Sequence, residues 1–199
     1  MSDYAVEING RTLEYIEDGH LYLVDGVIVP SITELLKVKF GNKYAGVDKG
    51  TLERAAEAGT AVHEAIESYC QDGVISDLPE VRNFIFLQKQ FKFSVLENEV
   101  PVILFNGDEP FAAGRLDMTI QTADGFGIAD IKRTSTLDKE YLACQLNLYR
   151  LGYMQSYGIK VDILRGIHLR EDVRKFVPLP INETAAWKIV FQYMGVPIV

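Results

Sequence analysis

Apolar and polar residues in this chain change rhythm several times, and each change marks an element. Residues 4–29 read as short strands punctuated by Gly10, Gly19 and Asp25-Gly26, with His20-Leu-Tyr-Leu-Val24 between two turn signals. Pro30-Ser31-Ile32-Thr33-Glu34 opens a helix, because Ser31 and Glu34 have capping-box spacing. Gly41, Gly46 and Gly50 predict a loop over 41–50. A helix rich in Ala and Glu follows over about 51–71, interrupted at some cost by Gly59, and a second after Pro79 over roughly 80–96. Residues 99–105, 111–121 and 127–132 read as strands, the last two joined by a turn around 122–126. A long helix over 139–157, strands over 163–169 and 175–180, and a helix capped by Asn182 and ending near Met194 complete the order.

This order predicts an α/β or α+β fold with a mixed central sheet flanked by helices. At 199 residues the chain makes one domain. Residues 1–30 form a β-rich appendage, 51–180 the core, and 182–199 a C-terminal helix and tail.

Composition narrows the function classes. Hydrophobic residues make up 48% and charged residues 24%, ordinary for a globular protein. The net charge of −8 argues against a simple basic nucleic-acid binder. The longest good apolar run, 100–105, is far too short to span a membrane. The opening MSDYAVEING has neither the basic flank nor the apolar stretch of a signal peptide, so a cytoplasmic protein is expected. Cys70 and Cys144 cannot build a four-cysteine zinc or iron–sulfur site, and two buried thiols suit such a compartment better than a disulfide.

The chemistry gathers in one hairpin. Strand side chains alternate faces, so Asp130 and Lys132 point the same way. A two-residue loop at Ala123-Asp124 places Asp117 opposite Asp130, and one at Asp124-Gly125 places it opposite Lys132. Both registers put the three charges on one face. Leu116, Ile128, Ala129 and Ile131 make these strands apolar and buried, and buried charges need partners or a metal. Close carboxylates repel unless a cation or proton intervenes, and their hard oxygens suit Mg²⁺ or Mn²⁺. A lysine beside such an ion is the apparatus of phosphate-ester hydrolysis. The plain alternative is an exposed hairpin salt bridge, since an acid two before a lysine arises by chance roughly once in such a chain.

The surrounding residues add to this. Gly114-Arg-Leu-Asp117, Asp130-Ile-Lys132 and Gln145-Leu-Asn-Leu-Tyr149 in this order resemble the PD-(D/E)xK nuclease superfamily, and more closely its RecB-type and phage-type exonuclease branch, related to lambda exonuclease. Gly59-Thr-Ala-Val-His63-Glu64 resembles the helix carrying that branch's active-site histidine. Pro30-Ser31-Ile32-Thr33-Glu34-Leu35-Leu36 is similar to the opening of phage-encoded members. The likeness spans about residues 20–155, and the last forty or so carry no assignable motif.

The resemblance implies a restriction-endonuclease-like core and a Mg²⁺- or Mn²⁺-dependent deoxyribonuclease without an iron–sulfur cluster. It would be an exonuclease of a phage or prophage recombination or repair system, leaving 5′-phosphate and 3′-hydroxyl ends. Asp117, Asp130, the Ile131 carbonyl, His63 and Glu99 would hold the metal, with Lys132 orienting the attacking water and stabilising the phosphate. By helix spacing Glu67 shares a face with His63 one turn on and reads as support for it or as a solvated residue. Gln145 and Tyr149 would touch the nucleic-acid backbone. Apart from the resemblance, Arg115 shares the Asp117 face by period-two alternation, and the Thr134 and Ser135 hydroxyls follow Lys132 at the sheet edge, so these too are candidate phosphate contacts. The bland alternatives are core packing for Tyr149, helix capping for the hydroxyls of 134–136 and for Ser31, and a bridge to a neighbouring acid for Arg115. His20 and His168 have no recognisable partner and read as structural. DNA is the expected partner, with a single-strand annealing protein and self-assembly into a ring as further implications. A structure-specific endonuclease, a non-catalytic DNA-binding assembly module and a carboxylate metal enzyme acting on nucleotides are the rivals.

Charge distribution matters more than its sum. Residues 1–26 hold six acids against one arginine, whereas residues 132–175 carry nine Lys and Arg against five acids. DNA binding is therefore expected to depend on metal and on a local basic surface.

Overall fold

The computed structural model describes residues 3–41 and 45–196. Residues 42–44 of the expected 41–50 loop, residues 1–2, and 197–199 of the expected tail lie outside the described residues.

The N-terminal strands β1 (Tyr4–Ile8), β2 (Arg11–Ile16), β3 (Leu21–Val24) and β4 (Val27–Val29) form an antiparallel meander. Two of its turns have positive φ at both central residues, Asn9-Gly10 and Asp25-Gly26. Such turns match the twist of the flanking strands, and Asn-Gly and Asp-Gly are the dipeptides that adopt them most readily.

The short helices α1 (Ile32–Leu35) and α2 (Lys37–Phe40) follow. Ser31 caps α1 by accepting from the Glu34 amide at 3.0 Å. The Glu34 carboxylate is engaged elsewhere, accepting from the Tyr193 hydroxyl at 3.2 Å. Helix α3 (Lys49–Asp72) is capped by Asp48, which accepts from the Thr51 amide at 2.8 Å. It runs unbroken through Gly59.

Helix α4 (Pro79–Phe91) stops short of the expected 96, because Lys92 turns left-handed at φ 50°. Strand β5 (Ser94–Asn106) correspondingly begins before the expected 99. Tertiary pairing overrides local helix preference here. Phe93 stacks on Phe176 at 4.8 Å, and Val95 pairs with Ile120.

The remaining elements are β6 (Glu109–Thr122), β7 (Gly125–Lys132), α5 (Lys139–Tyr157), β8 (Ile163–Leu169), β9 (Arg174–Leu179) and α6 (Glu183–Tyr193). Strands β5 to β9 form a five-stranded sheet in sequence order, antiparallel except for β7 and β8. That parallel pair is joined by α5, as a parallel connection requires. The fold is thus mixed α+β with helices on both faces of a mixed sheet. Asp138 caps α5, accepting from the Tyr141 amide at 3.0 Å, so the hydroxyls of 134–136 do not serve as its cap. Asn182 caps α6.

Helix α5 packs on one face of the sheet through Leu142, Leu146 and Tyr149, against Val102, Leu104 and Ile128. Helices α3 and α4 cover the other face through Val62, Ile66 and Phe84, against Met118, Ile120 and Ile131. Burial on both faces explains why residues 100–105 are apolar without alternation. The meander docks through Ile8, Leu13 and Val24 onto Ile103, Phe105 and Ala113. Among the described residues no helix is long and apolar enough to cross a membrane.

One irregularity positions the site. Leu116 packs in the core under α5, whereas Met118, two residues on, packs in the core under α3 and α4. A regular strand would send both to one face, so the alternation inverts at Asp117. Opposite it, between the pairs Asn98–Met118 and Val100–Leu116, Glu99 adopts a left-handed backbone at φ 53°. The two acids sit on a bend of the β5–β6 hairpin. A left-handed conformation in a residue with a side chain costs roughly 1–2 kcal/mol and concentrates at functional sites.

Candidate metal centre

The β6–β7 turn is Ala123-Asp124, since Thr122 pairs with Gly125. Of the two registers open to the sequence, this is the one that brings Asp117 toward Asp130. The recorded pairing ends at Met118–Ala129, and beyond it the Asp117 carboxylate takes the place of a ladder partner. Its Oδ2 accepts from the Ile131 amide at 2.6 Å. A strand residue's N–H and C=O point to the same side, so the Ile131 carbonyl is directed toward this space as well.

Three elements converge on Asp117. Val62 and Ile66 pin α3 to the sheet, and His63 between them reaches the acids. Its Nδ1 lies 3.6 Å from Asp117 Oδ2 and 4.0 Å from Glu99 Oε1. Among the described residues, His63, Glu99 and Asp117 form the group of potential metal ligands whose donor atoms all lie within 4.8 Å of one another. An ion held about 2.1 Å from each ligand spans donor separations up to about 4.2 Å. A contraction of under an ångström would therefore close the site on Mg²⁺ or Mn²⁺. Two carboxylates with one imidazole are a suitable donor set. Glu99 is not a strand-opening residue, as the sequence predicts, but lies in the middle of β5.

Asp130 sits behind this group, 2% exposed. Its Oδ1 accepts from Gln145 Nε2 at 3.1 Å. Its Oδ2 lies 2.6 Å from the Lys132 ammonium in a close ion pair. Gln145 thus holds a carboxylate from α5, and its own Oε1 is buried without a partner. Tyr149 is buried against β6. A Cβ at Gly114 would come 3.0 Å from its ring, so glycine makes that packing possible. Arg115 bridges to Glu99, its Nε 2.7 Å from Oε2.

The electrostatics follow from crowding charges out of water. Burial pushes the Asp130 carboxyl up, and the Asp117 charge adds to it, to about 6 despite Lys132. Burial depresses the His63 imidazole, but Asp117, Glu99 and Asp130 outweigh it and hold its pKa at about 9. Lys132 is likewise lowered by burial and raised further by Asp130 and Asp117, so it stays charged. The site collects cations around its carboxylates, which is what a metal ion would also satisfy.

Two cavities flank His63. One of about 610 Å³ is lined by Glu99, Arg115, Asp117 and a tyrosine group, Tyr4, Tyr15 and Tyr22, from the meander. The other, about 1110 Å³, is lined by Lys132, Arg133, Thr134, Ser135, Thr136 and Arg170. Thr134 and Ser135 therefore stand beside Lys132 as expected. The Thr134 carbonyl accepts from His168 Nε2 at 2.7 Å, so this histidine braces the loop. Sequence reasoning missed the tyrosines and left His20 as structural. His20 lines the first cavity and bonds Tyr15. The signal was present in the Asn-Gly turn, which sets the register that aligns Tyr4 with Tyr15.

No family model matches the chain, and no curated protein matches it. Among solved structures, a crystal structure of SSO0001 aligns at a TM-score of 0.47 and 16% identity, covering 83% of this chain and 75% of that one.

Proposed function

We propose that this protein is a metal-dependent deoxyribonuclease of the PD-(D/E)xK type that its motifs resemble, acting as an exonuclease. The observation that carries the proposal is the convergence of His63, Glu99 and Asp117 from three elements, with the Asp130–Lys132 pair directly behind them. Asp117, Glu99 and His63 would hold the ion. Asp130, expected as a ligand, stands outside that group with its oxygens on Gln145 and Lys132. A bound Mg²⁺ would polarise the phosphoryl oxygens and make a water acidic enough to attack.

The chain's own residues do the rest. The Ile131 amide fixes Asp117, and Gln145 fixes Asp130. Lys132, held charged by the carboxylates, offers its compact ammonium to the oxygen on which charge develops. Ser135 would supply a hydroxyl donor for a flanking phosphate, whereas the Thr134 hydroxyl donates to the Thr136 carbonyl at 2.9 Å and shapes the loop.

The test is digestion of end-labelled linear single- and double-stranded DNA with and without Mg²⁺. Metal-dependent release of nucleotides from an end is the expected result. Absence of hydrolysis on every polymer would overturn the proposal, and sustained cutting of a covalently closed circle would replace exonuclease by endonuclease. Cleavage of small nucleotides alone would point to a nucleotide hydrolase.

A further inference from the structure

Two segments of this acidic chain contain no acid. Residues 81–96 and 173–182 carry Arg82, Lys89, Lys92, Arg174 and Lys175 and neither Asp nor Glu, against 28 acids in the whole sequence. The fold lays them side by side, with α4 packed against β9. Phe91 and Phe176 have ring centroids 4.9 Å apart, and the Arg174 guanidinium stands 3.8 Å from the centre of the Phe86 ring. All five cations are exposed. Among the described residues none of the five forms an ion pair, whereas Arg133, Arg150 and Arg165 each have a carboxylate partner. Of the acids that bound these segments, Glu80 and Glu183 are paired with Arg133 and Arg150, and Glu171 and Asp172 lie in the β8–β9 turn. The face is continuous with the basic cavity: Arg170 lines that cavity, and Asn83 on α4 donates to the Arg170 carbonyl at 2.7 Å. Like charges crowded without counter-charges repel one another, and a polyanion from outside the chain relieves the repulsion.

We infer that the α4–β9 face is a second DNA contact, an anchor for sugar–phosphate backbone that lies beyond the metal centre. The inference rests on the nuclease proposal for the identity of the polyanion, and adds to it a hold on DNA that needs no metal. Length and charge spacing fit. Helix α4 has 13 residues, about 20 Å at 1.5 Å per residue. One strand of duplex DNA advances about 3.4 Å per phosphate, so about six phosphates span that length. Stacking on Phe86 restricts the Arg174 side chain, so it loses less freedom when it meets a phosphate. A protein partner fits less well. The core of a protein–protein interface is depleted of lysine, and Lys89, Lys92 and Lys175 all stand on this face.

The test measures binding of a long fluorescent DNA duplex in EDTA, by anisotropy over a range of salt. A Lys89→Gln/Lys92→Gln/Lys175→Gln variant should bind roughly tenfold or more weakly at low salt, and the slope of log affinity against log salt should fall by about 0.9 for each contact removed. The corresponding Arg variant should retain both. These are exposed side chains, so the melting temperature of either variant should stay near that of the parent. Unchanged affinity and slope in the Gln variant would overturn the inference, as would tighter binding of RNA of the same sequence. Self-association lost in the Gln variant, without DNA binding by the parent, would assign the face to a second copy and overturn it too. A second measurement needs no variant: bound DNA should protect Lys89, Lys92 and Lys175 from chemical acetylation and leave the exposed Lys160 and Lys188 reactive. Protection at Lys160 and Lys188 alone overturns the anchor. Binding in EDTA without hydrolysis in Mg²⁺ would leave the anchor and remove the nuclease proposal. Hydrolysis with unchanged binding by the Gln variant would do the reverse.

Discussion

The two cavities beside His63 share three lining residues, Ala56, Gly59 and His63, all on helix α3. One is acidic and aromatic, with Glu64, Glu67, Glu99 and Asp117 beneath three tyrosines. The other is basic and hydroxylic, with Lys132, Arg133 and Arg170 beside Thr134, Ser135 and Thr136. Helix α3 therefore sorts charge as a partition would. A net charge of −8 describes neither side.

The largest effect should come from the acidic side. Asp117→Asn keeps an oxygen for the Ile131 amide and removes the charge. It should cost on the order of 10³-fold or more in hydrolysis while leaving the melting temperature nearly unchanged. Next is ligand linkage. Mg²⁺ or Mn²⁺ at a hundred times its Kd should stabilise the fold by about 2.7 kcal/mol in a thermal-shift assay. Asp117→Asn and Glu99→Gln should abolish that shift, and a shift persisting in both would move the metal elsewhere.

The basic side should respond to salt. Arg170→Ala should weaken DNA binding several-fold for all sequences and reduce the salt dependence by about one counterion.

The smallest effects are on stability. A Cβ at Gly59 meets nothing within 4 Å and the site lies within a helix. Gly59→Ala should therefore stabilise by up to about 1 kcal/mol with activity retained, whereas Gly59→Trp should fill the space shared by both cavities and suppress cutting. Burial pushes the Tyr4 hydroxyl up to about 12. The unfolded chain gives up that proton from about pH 10 while the folded one keeps it, so stability falls as pH rises between those values. Tyr4→Phe should make this alkaline decline shallower in denaturation curves, with Tyr22, Tyr149 and Tyr157, also raised by burial, keeping the remainder.

Much of the fold was legible because the local signals agree. The α5 bounds, 139–157, follow from its flanking turn signals, Asn-Gly and Asp-Gly imposed two turns of the meander, and Ser31 and Asn182 act as caps. The boundary between α4 and β5 was not legible, because Phe93 and Val95 belong to a strand only once Phe176 and Ile120 are beside them. At the site, the sequence pattern brought Asp117, Asp130 and Lys132 to one hairpin, but strict alternation could not divide them. Asp117 turns to His63 and Glu99, and Asp130 to Lys132 and Gln145.

The sequence by itself determined which elements exist, which strands are buried on both faces, and which residues carry the charge. Those are local or periodic properties, set by side-chain type and spacing. Tertiary structure alone decided the register at Ala123-Asp124, the bend at Glu99 and Asp117, and the tyrosine row brought over His63, Glu99 and Asp117. Each depends on contacts between segments many residues apart, and at the bend long-range packing outweighs the local cost of a left-handed glutamate.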